Sequence, residues 1–193
     1  MRVLVLDNGD RFTPKLVKAL EALEAECEVR CPEGLSLAKV RALKPKRILI
    51  APGPGRPEDT GVCKDVVQHL AGDIPVFGIC LGMQVIALVA GARMSPPKRA
   101  LKRGASSIRH DGKGIFEAIP TPFTATRYKS LVVDGSYEPT FLEFSAWAEE
   151  DNAVVGLRLS GLGIEGIQLD PKLFLTDLGS DLLFNFVYRS QAW

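Results

Sequence analysis

Apolar residues fall in short blocks along the first half of the chain, with polar turns between them. Residues 2–6 form an apolar run that breaks into Asp7-Asn8-Gly9-Asp10, the pattern of a buried strand opening into a loop. Leu16, Leu20 and Leu23, with Val17 and Ala19, then recur at helical spacing and predict an amphipathic helix from about Pro14 to Ala25. The alternation continues with a strand over Cys27–Arg30, a helix over Ser36–Ala42 and a strand over Arg47–Ala51. A helix near Val62–Leu70 and a strongly apolar strand over Ile74–Ile79 follow. Alternation of this kind builds a parallel sheet covered by helices on both faces.

The second half changes character. Lys113-Gly114 and Asp134-Gly135 are turn signals, and Leu131–Val133, Leu142–Trp147, Ala153–Leu159 and Gly166–Leu169 read as strands of antiparallel hairpins. A closing helix is expected over Asp177–Val187. With no repeat, low-complexity tract or long linker, residues 1–193 are expected to form a single α/β domain. Its sheet is mixed and mostly parallel, flanked by helices, with an antiparallel extension.

Composition narrows the classes. A formal net charge of +1 lacks the basic excess of a nucleic-acid binder, and the cluster Lys98–Arg103 reads as a solvated loop. No stretch reaches the roughly 18 apolar residues of a membrane span. The run Met1–Asp7 is too short for a signal peptide, so a cytoplasmic protein with no membrane partner is expected. Cys27 and Cys31 are spaced like half a metal site, but no second half follows. Neither a metal nor a cofactor is implied, and Cys27, Cys31, Cys63 and Cys80 are expected as free thiols.

The chemistry concentrates at Phe77-Gly78-Ile79-Cys80-Leu81-Gly82-Met83-Gln84, where a strand ends and a helix begins. Glycines two residues either side of Cys80 make this the thiol version of G-x-S-x-G, a nucleophile on a tight strand-to-helix turn. Such a turn lifts the sulfur above the carboxyl edge of the sheet. The helix N-terminus is expected to favour the thiolate. The Leu81 amide can donate to an oxyanion. The stiff loop Ala51-Pro52-Gly53-Pro54-Gly55-Arg56-Pro57 follows the neighbouring strand and can aim backbone N–H groups at the same edge.

Together these two segments resemble the class I, triad-type glutamine amidotransferases, whose fold is flavodoxin-like. The likeness covers nearly the whole chain. Asp7–Thr13, His110–Phe116, Phe123–Leu131, Ile164–Gln168 and Leu182–Phe186 are similar to one branch, the glutaminase component II of anthranilate synthase and aminodeoxychorismate synthase. The resemblance implies that Cys80 attacks the side-chain amide of L-glutamine and releases ammonia to a chorismate-using, component I-type synthase. That places the chain in tryptophan or folate biosynthesis. It puts the amides of Gly53 and Leu81 in the oxyanion hole, Gln84, Ser130 and Leu131 against the glutamine, and Gly55 among the substrate-binding residues. Met83 and Lys129 stand where this branch has histidines.

The third motif departs furthest. The family ends a strand with Gln-Phe-His-Pro-Glu-Ser; this chain reads Gln168-Leu169-Asp170-Pro171-Lys172-Leu173. Gln168, Pro171 and Thr176 hold the register, so Asp170 occupies the position of the histidine base and Lys172 that of the glutamate orienting it. A salt bridge between Asp170 and Lys172 is expected. The remaining histidines offer no base. Six strand residues at about 3.3 Å put His69 roughly 20 Å from the sulfur, and His110 reads as a surface-turn residue. Three readings follow: a partner-binding or regulatory subunit with impaired glutaminase; an active glutaminase in which Asp170 or a partner-supplied group acts as base; or a different hydrolase or redox sensor built on an exposed Cys80.

Overall fold

The computed structural model describes residues 1–96, 105–127 and 131–189. The basic cluster Lys98–Arg103 therefore lies outside the described residues, and so do Lys129 and Ser130. The first half alternates as its apolar blocks dictate: β1 (Arg2–Leu6), α1 (Thr13–Ala22), β2 (Glu26–Arg30), α2 (Leu37–Ala42), β3 (Arg47–Ile50), α3 (Cys63–His69), β4 (Val76–Ile79) and α4 (Leu81–Val89). Ser36 stands just outside α2, where its hydroxyl accepts from the Lys39 amide and satisfies one otherwise unpaired helix donor.

The second half contains β5 (Met94–Ser95), β6 (Ala105–His110), β7 (Phe123–Thr126), β8 (Val132–Val133), β9 (Leu142–Ala148), β10 (Val154–Leu159), β11 (Ile164–Ile167) and α5 (Asp177–Phe184). A wider π turn, Asn185–Arg189, prolongs α5. The sequence pattern did not indicate β6 and β7, because Ala-Ser-Ser-Ile-Arg-His and Phe-Thr-Ala-Thr carry too few apolar residues to stand out. Nor is Asp134-Gly135 a hairpin turn: β8 pairs with β5 and β10, not with β9. β11 starts and ends earlier than expected, and Leu169 instead bridges Arg127.

The strands form one sheet in the order β2-β1-β3-β4-β11-β10-β9-β6-β7, with β5 and β8 off this path. The pairs β2-β1-β3-β4-β11 are parallel and the pairs beyond are antiparallel. Alternate residues of each strand serve opposite cores. Val3, Val5, Leu49, Phe77 and Ile79 pack under α1 and α5, while Leu4, Leu6, Ile48 and Ile50 pack under α2, α3 and α4. This is the two-sided burial that near-continuous apolar strands require.

The sheet also curls back on itself. Arg127 bridges Leu169 in antiparallel fashion, and the Asp170 amide donates to the Thr126 carbonyl at 2.8 Å. The chain leaving β11 is thus clamped by the end of β7. At the opposite, amino end of β11 sits a buried ionic cluster. Arg158 meets Asp111 at 2.7 Å and Glu165 at 3.4 Å, and Glu165 accepts from the Ile115 amide at 2.9 Å. Burial pushes the Glu165 carboxyl up, while Arg158 and that amide pull it back.

His110 is not the surface-turn residue expected. Its ring is buried, stacks on Phe116 at 4.6 Å, accepts from the Gly112 amide at Nδ1 and faces the Pro120 carbonyl with Nε2. Burial lowers its pKa below the ordinary value of 6.5, so it is a neutral core histidine. Among the described residues no helix is long and apolar enough to cross a membrane.

Candidate active site

Cys80 links the end of β4 to the first turn of α4, with φ 52° and ψ −105°, a left-handed conformation unusual for a residue with a side chain. Its amide is tied to β11 through the Ile167 carbonyl at 2.8 Å. The flanking glycines are required by contact. A Cβ on Gly78 would lie 2.5 Å from the Gly82 carbonyl carbon, and one on Gly82 would lie 2.3 Å from the Ile50 carbonyl oxygen. Only bare backbone lets α4 cross its own strand and β3 this closely. The tight turn inferred from G-x-C-x-G is therefore present.

The sulfur's environment differs from expectation. Cys80 is only 4% exposed, and its thiol donates to the Leu169 carbonyl at 3.0 Å. Burial pushes the thiol pKa upward, and the Asp10 and Asp170 carboxylates add to the rise. A hydrogen bond donated by the thiol also favours the protonated form. Desolvation and two nearby negative charges thus move the pKa opposite to the lowering expected at a helix N-terminus. An exposed reactive thiol, the basis of the redox-sensor reading, is thereby corrected.

Asp170 lies near enough to the elbow for its charge to act on the Cys80 thiol, yet the expected salt bridge is absent. Asp170 Oδ1 instead accepts from the Lys172 backbone amide at 2.9 Å, capping the short 3-10 turn Pro171–Leu175. Lys172 is exposed, with no ion pair among the described residues. The pair fails to form because capping satisfies the aspartate locally.

The other candidate residues divide. The Leu81 amide, first in α4, has no acceptor within its helix. Gly53 lies against Asn8, where an added Cβ would be 2.4 Å from the Asn8 Cβ. Asn8 Nδ2 donates to the Ala51 carbonyl at 2.8 Å. Asn8 therefore props the proline-glycine loop, a role that no apolar or motif spacing signals. Gly55 is exposed at the loop tip. Gln84 is buried and donates to Gln168 at 3.3 Å, joining the second motif to the third. Met83 is buried against Gly166, an apolar core role. Leu131 is half-buried just ahead of β8.

A cleft of about 370 Å³ opens at the carboxyl edge, lined by residues 9–12, Gly53, Pro54 and Pro171. It spans the ends of β1 and β3, the point where strand order reverses and where open α/β sheets hold ligands. Cys80 does not line it.

The model of the glutamine amidotransferase class-I family matches residues 4–190. The chain belongs to this family. It is 37% identical over 187 residues to aminodeoxychorismate synthase component 2 of Escherichia coli, covering 97% of this chain and all of that one. It is 38% identical over 194 residues to anthranilate synthase component 2 of Pseudomonas putida, covering 98% of each. The fold matches a glutamine amidotransferase structure from Thermotoga maritima with a TM-score of 0.71 at 15% identity, over 98% of this chain and 97% of that one. The chain is thus an amidotransferase subunit of the component 2 type, and the flavodoxin-like class I fold holds.

Proposed function

We propose that this chain is a component 2-type subunit that pairs with a chorismate-using synthase and has lost most of its glutaminase activity, acting as a binding or regulatory partner. The observation that carries this reading is the state of Cys80: a buried thiol donating to Leu169, with carboxylates rather than an imidazole beside it. Hydrolysis of glutamine needs a thiolate to attack, a proton for the departing ammonia and a base for the water that clears the thioester. Asp170 offers no imidazole to shuttle the proton, and its charge opposes the thiolate. Lys172, exposed and unpaired among the described residues, does not orient it.

Glutamine hydrolysis by the purified chain, with and without its synthase partner, tests the reading. Turnover is expected at least about 10³ below that of a subunit with its base in place. The two-chain complex should form, and added ammonium should support synthesis of the aromatic amine. Glutamine turnover at ordinary rates would overturn the proposal. The retained Gly53 loop and the Leu81 amide, which has no acceptor within its helix, favour a second reading, a working glutaminase whose base comes from Asp170 or from the partner. Cys80→Ala separates the two: it abolishes glutamine-dependent synthesis in the second case and leaves it unchanged in the first.

A further inference from the structure

The loop after β2 and the loop before α3 touch at the carboxyl edge of the sheet. The Val62 amide donates to the Pro32 carbonyl at 3.3 Å, and a Cβ on Gly61 would lie 2.6 Å from that same oxygen. Cys31 immediately precedes Pro32 and Cys63 immediately follows Val62. Cys31 is exposed, whereas Cys63 is fully buried. Cys63 is also in long contact, 3.9 Å, with Asn8 Oδ1, on the side chain that props the Gly53 loop. Neither cysteine takes part in the glutamine chemistry centred on Cys80.

We propose that Cys31 and Cys63 are a peroxide-responsive thiol pair that closes into a disulfide, drawing the Cys63 sulfur off Asn8 and loosening the loop at Gly53. The exposed Cys31 sulfur attacks the O–O bond of a peroxide and gives up its thiol proton; the departing hydroxide takes that proton, leaving a sulfenic acid and one water. The Cys63 sulfur then attacks the sulfenic sulfur, the S–S bond forms, and the departing hydroxide takes the Cys63 proton as a second water. In total two thiols lose two electrons and two protons to one peroxide. A dithiol reverses the step.

The order of events follows from access. Burial pushes the Cys63 thiol up to about 12, with a small contribution from Cys31 nearby, so Cys63 is the resolving and not the peroxide-reactive sulfur. Movement is permitted because Cys63 is the first residue of α3, a seven-residue helix without a side-chain cap at Val62.

The test treats the full chain with hydrogen peroxide, alkylates the remaining thiols under denaturing conditions, and maps the peptides by mass. Of the four thiols, two are expected to be lost, in a single peptide pair linking residues 31 and 63, and recovered with dithiothreitol. Cys31→Ser, at an exposed position, should lose no thiol at the same dose. Hydrogen exchange at Gly53 should rise in the oxidised chain. A Cys31–Cys31 dimer, or a sulfinic acid at Cys31 with Cys63 still alkylatable, would overturn the pair. A 31–63 link with unchanged exchange at Gly53 would overturn its action on the loop. These readouts are independent of whether the chain hydrolyses glutamine.

Discussion

The elbow at Cys80 and the segment Leu169–Lys172 meet through one thiol hydrogen bond, yet opposite constraints hold them. In the elbow, packing dictates the sequence: side chains at Gly78 or Gly82 would collide with backbone. In the facing segment the backbone is clamped by Thr126 and Arg127, but the side chains of Asp170 and Lys172 do no more than cap a short turn or reach into solvent. The fold therefore enforces G-x-C-x-G whether or not the cysteine reacts. It places almost no demand on positions 170 and 172. A retained nucleophile motif reports on architecture; the positions free of packing report on chemistry.

The sharpest test of that contrast restores the chemical side alone. The double substitution Asp170→His with Lys172→Glu should raise glutamine hydrolysis by about 10²–10⁴-fold, because the backbone that presents position 170 to the sulfur is already in place. An ammonia-release assay reads this, and no gain would mean that the frame itself has drifted.

The architectural side should yield the next largest effect. Gly82→Ala drives a methyl group into the Ile50 carbonyl and is expected to cost about 3 kcal/mol in urea denaturation, as overpacked cores do. Asp170→Ala removes only a turn cap and should cost about 1 kcal/mol or less. Similar losses from the two would break the comparison.

Two pH effects are smaller. The Cys80 and Cys63 thiols are raised in the folded chain above their ordinary 9.0, so the stability they contribute is complete below that value and falls as pH rises past it. Cys80→Ser should flatten this alkaline loss, measured by thermal denaturation between pH 8 and 10. His110 has the opposite sign. Its folded pKa lies below 6.5, so the unfolded chain binds the proton more readily and stability falls as pH drops below that point. The acid-side slope should diminish in His110→Gln.

The alternating first half and the elbow were legible in the sequence, since apolar period and glycine spacing encode them directly. The hairpin β6–β7 was not, because its strands carry more Ser, Thr and Arg residues than apolar ones. The acceptor of the Cys80 thiol is a backbone carbonyl, which no residue type announces. Asn8 read as part of a turn, and only its closeness to Gly53 shows what it supports. The Asp170–Lys172 pairing failed because charge complementarity in sequence ignores a backbone amide two residues away that competes for the same oxygen.

The insertion of β11 beside β4 has a consequence for synthesis. β4 is wholly buried, yet its neighbour on one side arrives nearly ninety residues later in the chain. At ribosomal rates of about 5–20 residues per second, that edge waits roughly 5–20 s with its ladder half filled. An apolar strand with an open edge is a template for pairing with other chains. Newly made chains should therefore be most prone to aggregate after β4 has emerged and before β11 has, and a truncated chain ending between them should be less soluble than the whole.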